Sequence, residues 1–206
     1  MLRRFCLAAF TLALLALSPA LRAEPVAADA FVRQLSSEML DALKGDKAIQ
    51  SGDVSRIRAL VDSKVMPTVN FQRMTGSAVG PQWRSASPEQ KTRMLEVFKS
   101  LLVNTYAGAL TQVKDQTITV KPLRGGEPTE LVVRTEVRSK GDAIQLDYRL
   151  EKAGESWKIY DINVGGFWLV DAYRGQFAKD LANGGMDALI NALAEKNKSL
   201  AASTKS

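Results

Sequence analysis

The chain has 206 residues, with 28 Lys and Arg, 22 Asp and Glu, one Cys and no His. The lack of imidazole excludes Ser-His-Asp and Cys-His nucleophiles and removes the commonest ligand of zinc, copper and non-haem iron. At roughly 150 residues per domain, this length predicts one domain with a sizeable core.

The first 23 residues have the pattern of a secretory signal peptide. Two arginines precede an uncharged apolar run, 5–17, and Ala23 offers a small residue before a cleavage point. The run is shorter than the roughly 20 residues of a membrane-spanning helix, so a membrane anchor is the weaker interpretation. We therefore expect export and a mature chain that begins near Glu24. That chain has no cysteine, because Cys6 lies in the leader, and this excludes disulfides and thiolate metal sites.

Removal of the leader leaves 25 basic against 22 acidic residues, because three arginines and no acids are lost. The basic residues are interspersed with acids and never reach a run of five or six. This pattern argues against nucleic-acid binding. A mildly basic surface that approaches anionic membranes stays open.

Apolar residues at three- and four-residue steps predict helices in the first half of the mature chain. One spans 29–43 and is stopped by Gly45, and a second spans 53–66 and is terminated by Pro67. Asn70 is suited to cap a third, shorter helix. All three are predicted to pack against a core.

The clearest helix start is 87–90, where a Ser N-cap is followed by Pro at the first helical position and by Gln at the reciprocal capping-box position. Apolar spacing then continues to Val113. A helix of about 26 residues is long for a domain of this size, so it is predicted to back a large apolar surface.

After Asp115 the apolar period changes to two, which predicts strands with one apolar and one charged face. Glycine-containing turns at 125–126, 140–142 and 153–155 favour an antiparallel meander. The apolar parity of the last strand switches, which predicts a bulge near 160–161. The four predicted strands span 118–120, 131–137, 144–150 and 157–164.

The glycine pair 165–166 then turns the chain into a helix that begins at Phe167 and is apolar all round at first. The motif at 183–185 is predicted to end it, and an amphipathic helix follows. We expect three segments in all: a signal peptide at 1–23, a single domain at 24–196, and a polar flexible tail at 197–206.

Few residues could support catalysis. Asp161 at the suspected bulge could be turned inward as a general base, with Tyr160 beside it, or both could simply face water. There is no phosphate-binding glycine loop and no paired carboxylate at a suggestive spacing. A periplasmic enzyme that uses Asp161 therefore stays open beside a binding protein and a protein-only adaptor.

A set of residues in the second half of the chain has the order and spacing of a known family: 87–90, Phe98, Leu102, Tyr106, Tyr160-Asp161, 164–166, Tyr173-Arg174, Phe177, Gly185 and Leu189. Through these residues the stretch 69–193 resembles the MlaC family, also described as toluene-tolerance auxiliary proteins, which are periplasmic phospholipid carriers of Gram-negative bacteria. The segment 166–168 is bulkier than the serine-containing segment expected there, and a sister family associated with hopanoid biosynthesis has a similar pattern.

The resemblance implies an α+β fold, in which a curved four-stranded antiparallel sheet is wrapped by helices around an apolar cavity for acyl chains. It implies a periplasmic shuttle that maintains outer-membrane lipid asymmetry, with a phospholipid as cargo and no cofactor, metal or enzymatic activity. Transient partners would be an inner-membrane ABC transporter complex and an outer-membrane lipoprotein complex. We expect a monomer.

Apolar side chains of the sheet and of the long helix suit the wall of such a cavity. The same side chains would equally serve as a close-packed core, so both interpretations stay open. Arg174 is expected to pair with a carboxylate such as Asp161 rather than to clamp phosphate. The expected lipid-binding residues are Val69, Phe71, Leu95, Phe98, Leu102, Tyr106, Val133, Val137, Leu146, Tyr148, Tyr160, Ile162, Val164, Trp168, Leu169 and Tyr173.

Overall fold

The computed structural model describes residues 26–123, 129–139 and 143–203. The predicted signal peptide at 1–23, the start near Glu24, the turns at 125–126 and 140–142 and the last three residues lie outside these ranges.

The predicted second helix divides into three kinds of turn. An α-helical part, capped by the Asp53 carboxylate, runs into a π-helical turn and then into a 3-10 turn that contains Pro67. A short helix capped by Asp46 precedes it and was not predicted. The elements are α1 Ala28–Gly45, α2 Lys47–Gln50, α3 Val54–Leu60, the π-helical turn Val61–Val65 and the 3-10 turn Met66–Thr68.

The capping chemistry of the next helices is confirmed. The Asn70 side chain accepts from the Arg73 N–H at 3.0 Å. At the start of the long helix, the Ser87 hydroxyl accepts from the Gln90 N–H at 3.1 Å, and the Gln90 side chain accepts from the Ser87 N–H at 3.0 Å. The elements are α4 Phe71–Val79, the unpredicted α5 Gln82–Ser85, and α6 Pro88–Thr111.

Within the described residues, six strands form one antiparallel sheet: β1 Thr117–Val120, β2 Glu130–Val133, β3 Thr135–Arg138, β4 Ala143–Ala153, β5 Ser156–Val164 and β6 Phe167–Trp168. Neighbouring strands follow the order β1, β3, β4, β5 and β6, while β2 pairs with the same edge of β4 as β3 does. The four predicted strands are present, but the predicted second strand is divided. The reason is that the Thr135 N–H donates to the Asp147 carboxylate at 3.0 Å instead of continuing the ladder.

The predicted bulge in β5 is confirmed. Arg149 pairs with Asp161 while Leu150 pairs with Ile159, so Tyr160 is the extra residue. The expected helix start at Phe167 is wrong. The preceding glycine turn instead folds residues 167–168 back along β5 as a short strand, and the helix begins at Leu169.

The last helix, α7 Leu169–Ser203, is broken at the predicted glycine motif, where Gly185 has φ 66° in the left-handed region. The Gln82 side chain donates to the Leu181 carbonyl at 3.2 Å just before the break. Residues 197–203 are helical rather than a flexible tail. Asn197 anchors them to α6 through its side chain, which donates to the Val97 carbonyl at 2.9 Å and accepts from Asn104 at 3.1 Å.

Two of the apolar clusters lie against each other. A helical cluster is formed by α4, α6 and α7, and a sheet cluster is formed by the inner face of the sheet and α1. Val69 and Ile162 pack against both clusters and thus mark the seam between helices and sheet. A third cluster joins α1, α2 and α3 to α6. None of the described helices has the length and apolar character needed to cross a membrane.

Candidate binding cavity

An apolar cavity of about 230 Å³ lies at this seam, between α4, α6 and the π-helical and 3-10 turns on one side and β5 with the start of α7 on the other. The described side chains of its wall are hydrocarbon or thioether apart from the Tyr106 phenol and the Lys99 ammonium group. The lining residues are Val61, Val65, Met66, Val69, Phe71, Met74, Lys99, Leu102, Val103, Tyr106, Leu110, Ile162 and Leu169.

The helical wall follows from helix periodicity. Leu102, Tyr106 and Leu110 are spaced by four residues on α6 and therefore share one face. Val61 and Val65 are also four residues apart, at the two ends of the π-helical turn. Single π-helical turns often occur at functional sites.

The sheet wall depends on the bulge at Tyr160. Strict alternation from Ile159 would point Asp161 inward and Ile162 outward. With one extra residue in the strand, Ile159 and Ile162 both pack against the sheet cluster on the inner face, while Asp161 pairs with Arg149. The bulge therefore removes a carboxylate from the cavity side and supplies an isoleucine there.

Six of the expected lipid-binding residues border this cavity: Val69, Phe71, Leu102, Tyr106, Ile162 and Leu169. The others lie elsewhere. Leu95, Phe98 and Tyr173 pack within the helical cluster, and Val133, Leu146 and Tyr148 pack within the sheet cluster. Val137 and Val164 are half-buried on β3 and β5 and do not border the cavity.

Phe98 and Tyr173 form the layer behind the cavity wall. Their ring centroids are 4.9 Å apart in an edge-to-face contact, and the Phe98 ring stacks on that of cavity-lining Phe71 at 5.7 Å. Burial raises the pKa of Tyr173 to about 12. These two residues stabilise the wall rather than face the cavity.

Tyr160 and Trp168 engage charged groups instead of the cavity. The Arg73 guanidinium lies 3.6 Å from the Tyr160 ring centroid, and the Tyr160 hydroxyl donates to Glu130 at 3.1 Å. The Arg149 guanidinium lies 3.9 Å from the Trp168 ring centroid. Both contacts have the geometry of a cation–π interaction.

Seven lining residues were not expected: Val61, Val65, Met66, Met74, Lys99, Val103 and Leu110. Most of the apolar ones follow the helical stripes that were interpreted as packing faces, so the sequence carried a signal that they would be buried. Apolar spacing does not separate a side chain that borders a void from one that fills a core. For Lys99 the sequence offers no signal.

Lys99 is the only charged residue among the described residues that line the cavity. Its Nζ lies 2.8 Å from Asp62 Oδ1 on the π-helical turn. The side chains are 29% and 47% exposed, respectively, so the pair stands where the cavity wall meets solvent. Such a lysine covers apolar surface with its stem and keeps its charge in water.

Asp161 is not arranged as a general base. Its side chain is 1% exposed, with Oδ1 accepting from the Ile162 and Val170 N–H groups and Oδ2 bound by Arg149 at 2.9 Å. Burial raises its pKa, against the opposing effect of these hydrogen bonds and of Arg149. The carboxylate thus joins β4, β5 and the first turn of α7.

Arg174 pairs with a carboxylate as expected, but that carboxylate is Asp171 rather than Asp161. Arg174 donates to the Ser77 carbonyl at 2.8 and 3.0 Å and lies 3.5 Å from Asp171, its neighbour one helical turn away. Arg149 takes the place next to Asp161 because the β4–β5 register sets the two opposite each other.

Arg174 also borders a larger surface groove of about 710 Å³, together with Arg73, Arg84 and Trp83. Three guanidinium groups make this groove unsuitable for acyl chains, since a charge next to hydrocarbon is costly. Within the described ranges, no group of three or more Asp, Glu, His or Cys residues is arranged to hold a metal ion.

Comparison with known proteins gives consistent matches. The family model described as "MlaC protein" matches residues 33–195. A Pseudomonas putida relative named "Toluene tolerance protein ttg2D" is 28% identical over 178 residues, or 85% of this chain and 83% of the relative. A Haemophilus influenzae relative named "Intermembrane phospholipid transport system binding protein MlaC" is 24% identical over 164 residues, or 77% of each chain.

A solved structure agrees with the fold. A phospholipid-binding protein from Ralstonia solanacearum, in complex with a phospholipid, superposes with a TM-score of 0.83 at 41% sequence identity. The match covers 85% of this chain and 99% of that one. The expected α+β architecture with helices around an antiparallel sheet is therefore confirmed.

Proposed function

The chain belongs to the MlaC protein family, and from that premise we propose that it is a periplasmic carrier that shields the acyl chains of a phospholipid in the cavity at the helix–sheet seam. It acts as a monomer, as a single lipid-binding domain that follows a leader removed on export, and it has no catalytic step.

The observation that carries the proposal is the chemistry of the cavity wall. Twelve of the thirteen described lining residues are uncharged, and eleven of these have pure hydrocarbon or thioether side chains. A wall of this kind suits methylene groups and gives a polar substrate few groups to bind. The same fold in the Ralstonia solanacearum protein holds a phospholipid, which supports the same cargo here.

The energetics explain why a carrier must enclose the chains. Two acyl chains contain roughly 30 methylenes at about 0.8 kcal/mol each, so unassisted transfer into water costs on the order of 20 kcal/mol. Lipid exchange between membranes becomes fast only if most of this hydrocarbon stays covered during transit.

The cavity volume implies movement of its walls. A volume of about 230 Å³ is below the roughly 300 to 1,000 Å³ of sites for drug-sized ligands, and two acyl chains are larger still. The helical cluster and the sheet cluster are separate packing units that share the border residues Val69 and Ile162. Separation along this border enlarges the cavity without opening either cluster.

We extend the proposal to transport between membranes. The carrier receives and delivers lipid at an inner-membrane ABC transporter complex and an outer-membrane lipoprotein complex, and so maintains outer-membrane lipid asymmetry. The name of the Haemophilus influenzae relative refers to intermembrane phospholipid transport. Both contacts are transient, and each buries less than about 1,200 Å² of surface, which is small for a protein–protein interface.

Phospholipid is favoured over a hopanoid because both the Haemophilus influenzae and the Ralstonia solanacearum proteins are named for phospholipid. The enzyme alternative loses its main candidate, because both oxygens of Asp161 are already bound within the fold.

A transfer assay tests the proposal. Donor vesicles with a labelled phospholipid and unlabelled acceptor vesicles are separated by a membrane that passes a 22.5 kDa protein but not vesicles. We expect label to reach the acceptors only when the mature protein is present, at a rate that rises with protein concentration. Transfer no faster than in buffer would overturn the carrier function.

A further inference from the structure

Lys99 has an unusual position for a charged residue, since every other described residue of the cavity wall is uncharged. We propose that Lys99 is the phosphate-binding residue of the cavity, and that its ammonium group exchanges the Asp62 carboxylate for the phosphodiester of the cargo. This inference rests on the proposed carrier function and names the part of the lipid that the site recognises.

The geometry favours a phosphodiester over other anionic groups. In a phospholipid the phosphate is joined to the acyl chains through the glycerol unit, so a cation that meets it must stand where the apolar wall ends. Lys99 does so, because its stem lines the cavity while its side chain is 29% exposed. A lysine ammonium has three donors and binds phosphate as a compact point charge.

Asp62 is suited to be displaced. It lies on the π-helical turn Val61–Val65, its side chain is 47% exposed, and the ion pair with Lys99 is open to solvent. Such pairs contribute little to stability. When the acyl chains of a phospholipid occupy the cavity, they hold its phosphate close to Lys99, so the phosphate has a high effective concentration there. The Asp62 carboxylate that it displaces becomes hydrated by solvent, which compensates for the contact it loses.

Substitution of Lys99 tests the contact directly. The test compares a phospholipid with a diacylglycerol that has the same chains and no phosphate, in a binding assay on purified mature protein. For Lys99→Met we expect phospholipid affinity to fall about fivefold, the loss of one charge-assisted hydrogen bond at a partly exposed site, and diacylglycerol affinity to stay within about twofold.

Lys64→Met is the matched control. Lys64 lies on the same π-helical turn as Asp62, is not among the described residues that line the cavity, and lies 3.9 Å from Glu38 in an exposed ion pair. Lys64→Met removes one positive charge near the cavity, as Lys99→Met does, but not from its wall. We therefore expect both lipids to bind this variant as they bind the wild type. If Lys64→Met weakens phospholipid binding as much as Lys99→Met does, the effect is general electrostatics and the inference is overturned.

Asp62→Asn separates phosphate binding from a structural role of the ion pair. The inference expects phospholipid affinity to be retained or raised, because the competing carboxylate is gone. A loss as large as that of Lys99→Met would show that the pair itself maintains the site, and would overturn the inference. An equal loss of both lipids in Lys99→Met, with the wild type binding both, would also overturn it.

Inorganic phosphate distinguishes a lipid phosphate from the free anion. We expect phosphate at the same concentration as the lipid not to displace it, since phosphate lacks the chains. Displacement that depends on Lys99 would assign the residue to free phosphate and overturn the inference. Failure of the carrier function has a different signature, because the wild type would then bind neither lipid.

Discussion

Arg149 donates a hydrogen bond of 2.9 Å to Asp161 across the β4–β5 pair, directly beside the bulge at Tyr160. The guanidinium also lies over the Trp168 ring, and the second oxygen of the carboxylate accepts from the Val170 N–H at 3.1 Å. One ion pair thus holds the strand that carries Ile162, the residue that forms the sheet wall of the cavity.

The first prediction concerns this ion pair. Asp161→Asn keeps an oxygen for the two backbone N–H groups but turns the carboxylate that faces Arg149 into a neutral amide. We expect the free energy of unfolding to fall by about 2 kcal/mol while phospholipid binding is retained. Urea unfolding of Asp161→Asn is compared with Asp171→Asn, an exposed member of a 3.5 Å pair with Arg174 that should change stability little. Unchanged stability in Asp161→Asn would contradict the structural role.

The second prediction uses two neighbouring leucines of α6. Leu102 lines the cavity, whereas Leu101 is fully buried in the helical cluster. Leu102→Asp places a carboxylate where water can enter the cavity, so the variant should fold and lose bound phospholipid. In Leu101→Asp, water cannot reach the buried carboxylate. Burying it without a partner costs several kcal/mol, a large part of a typical free energy of unfolding of about 5 to 15 kcal/mol, so this variant should unfold.

Circular dichroism and lipid analysis of the same preparations read out both variants. A folded Leu102→Asp protein that still carries phospholipid would show that this cavity is not the binding site. Equal unfolding of both variants would mean that Leu102 is ordinary core.

The third prediction concerns Gly76, where a Cβ would lie 2.6 Å from Cδ1 of the Trp83 ring. Gly76→Ala forces the indole away from α4, and we expect a loss of about 1 to 3 kcal/mol, typical of overpacking. The control is Gly108→Ala on α6, where a Cβ meets nothing within 4 Å and helix propensity predicts a gain of up to about 1 kcal/mol. Thermal unfolding should therefore move in opposite directions, and a stabilised Gly76→Ala would refute the packing argument.

The fourth prediction is a pH dependence. Burial raises the pKa of Tyr148 to about 12, against a smaller opposing effect of Ser36 on α1. The unfolded chain loses this phenolic proton near pH 10, where the folded protein still retains it. The free energy of unfolding must therefore fall as pH rises from about 10 to 12.

Urea unfolding at several pH values above 9 measures the slope. Tyr148→Phe should show a shallower decline than the wild type, because one such phenol is gone. The decline should not vanish, because burial raises the pKa of Tyr173 to about 12 as well. If the slope of Tyr148→Phe equals that of the wild type, Tyr148 does not contribute to the loss of stability at high pH, and the prediction is wrong.

Local rules were enough to predict much of the fold. The capping box at Ser87 and Gln90, the bulge at Tyr160 and the helix break at Gly185 each depend on a few adjacent residues, and all three are present. The errors come from long-range contacts. Asp147 takes the Thr135 N–H out of the ladder, and Asn197 docks on α6 and continues the last helix.

The cavity was predictable only in part, for a related reason. Leu101 and Leu102 look alike in the sequence, and only the assembled helices and sheet decide which of the two borders a void. Trp168 has an aromatic ring suited to a lipid wall, but the glycine turn before it sets it over Arg149.

The most direct measurement of the central claim is the lipid content of the protein as it is isolated from cells. Purified protein is extracted with organic solvent, and phospholipid in the extract is identified by mass spectrometry and quantified against protein. The carrier account predicts phospholipid in stoichiometric amount, with little or none in the folded Leu102→Asp variant. An extract of the wild-type protein without phospholipid would contradict it.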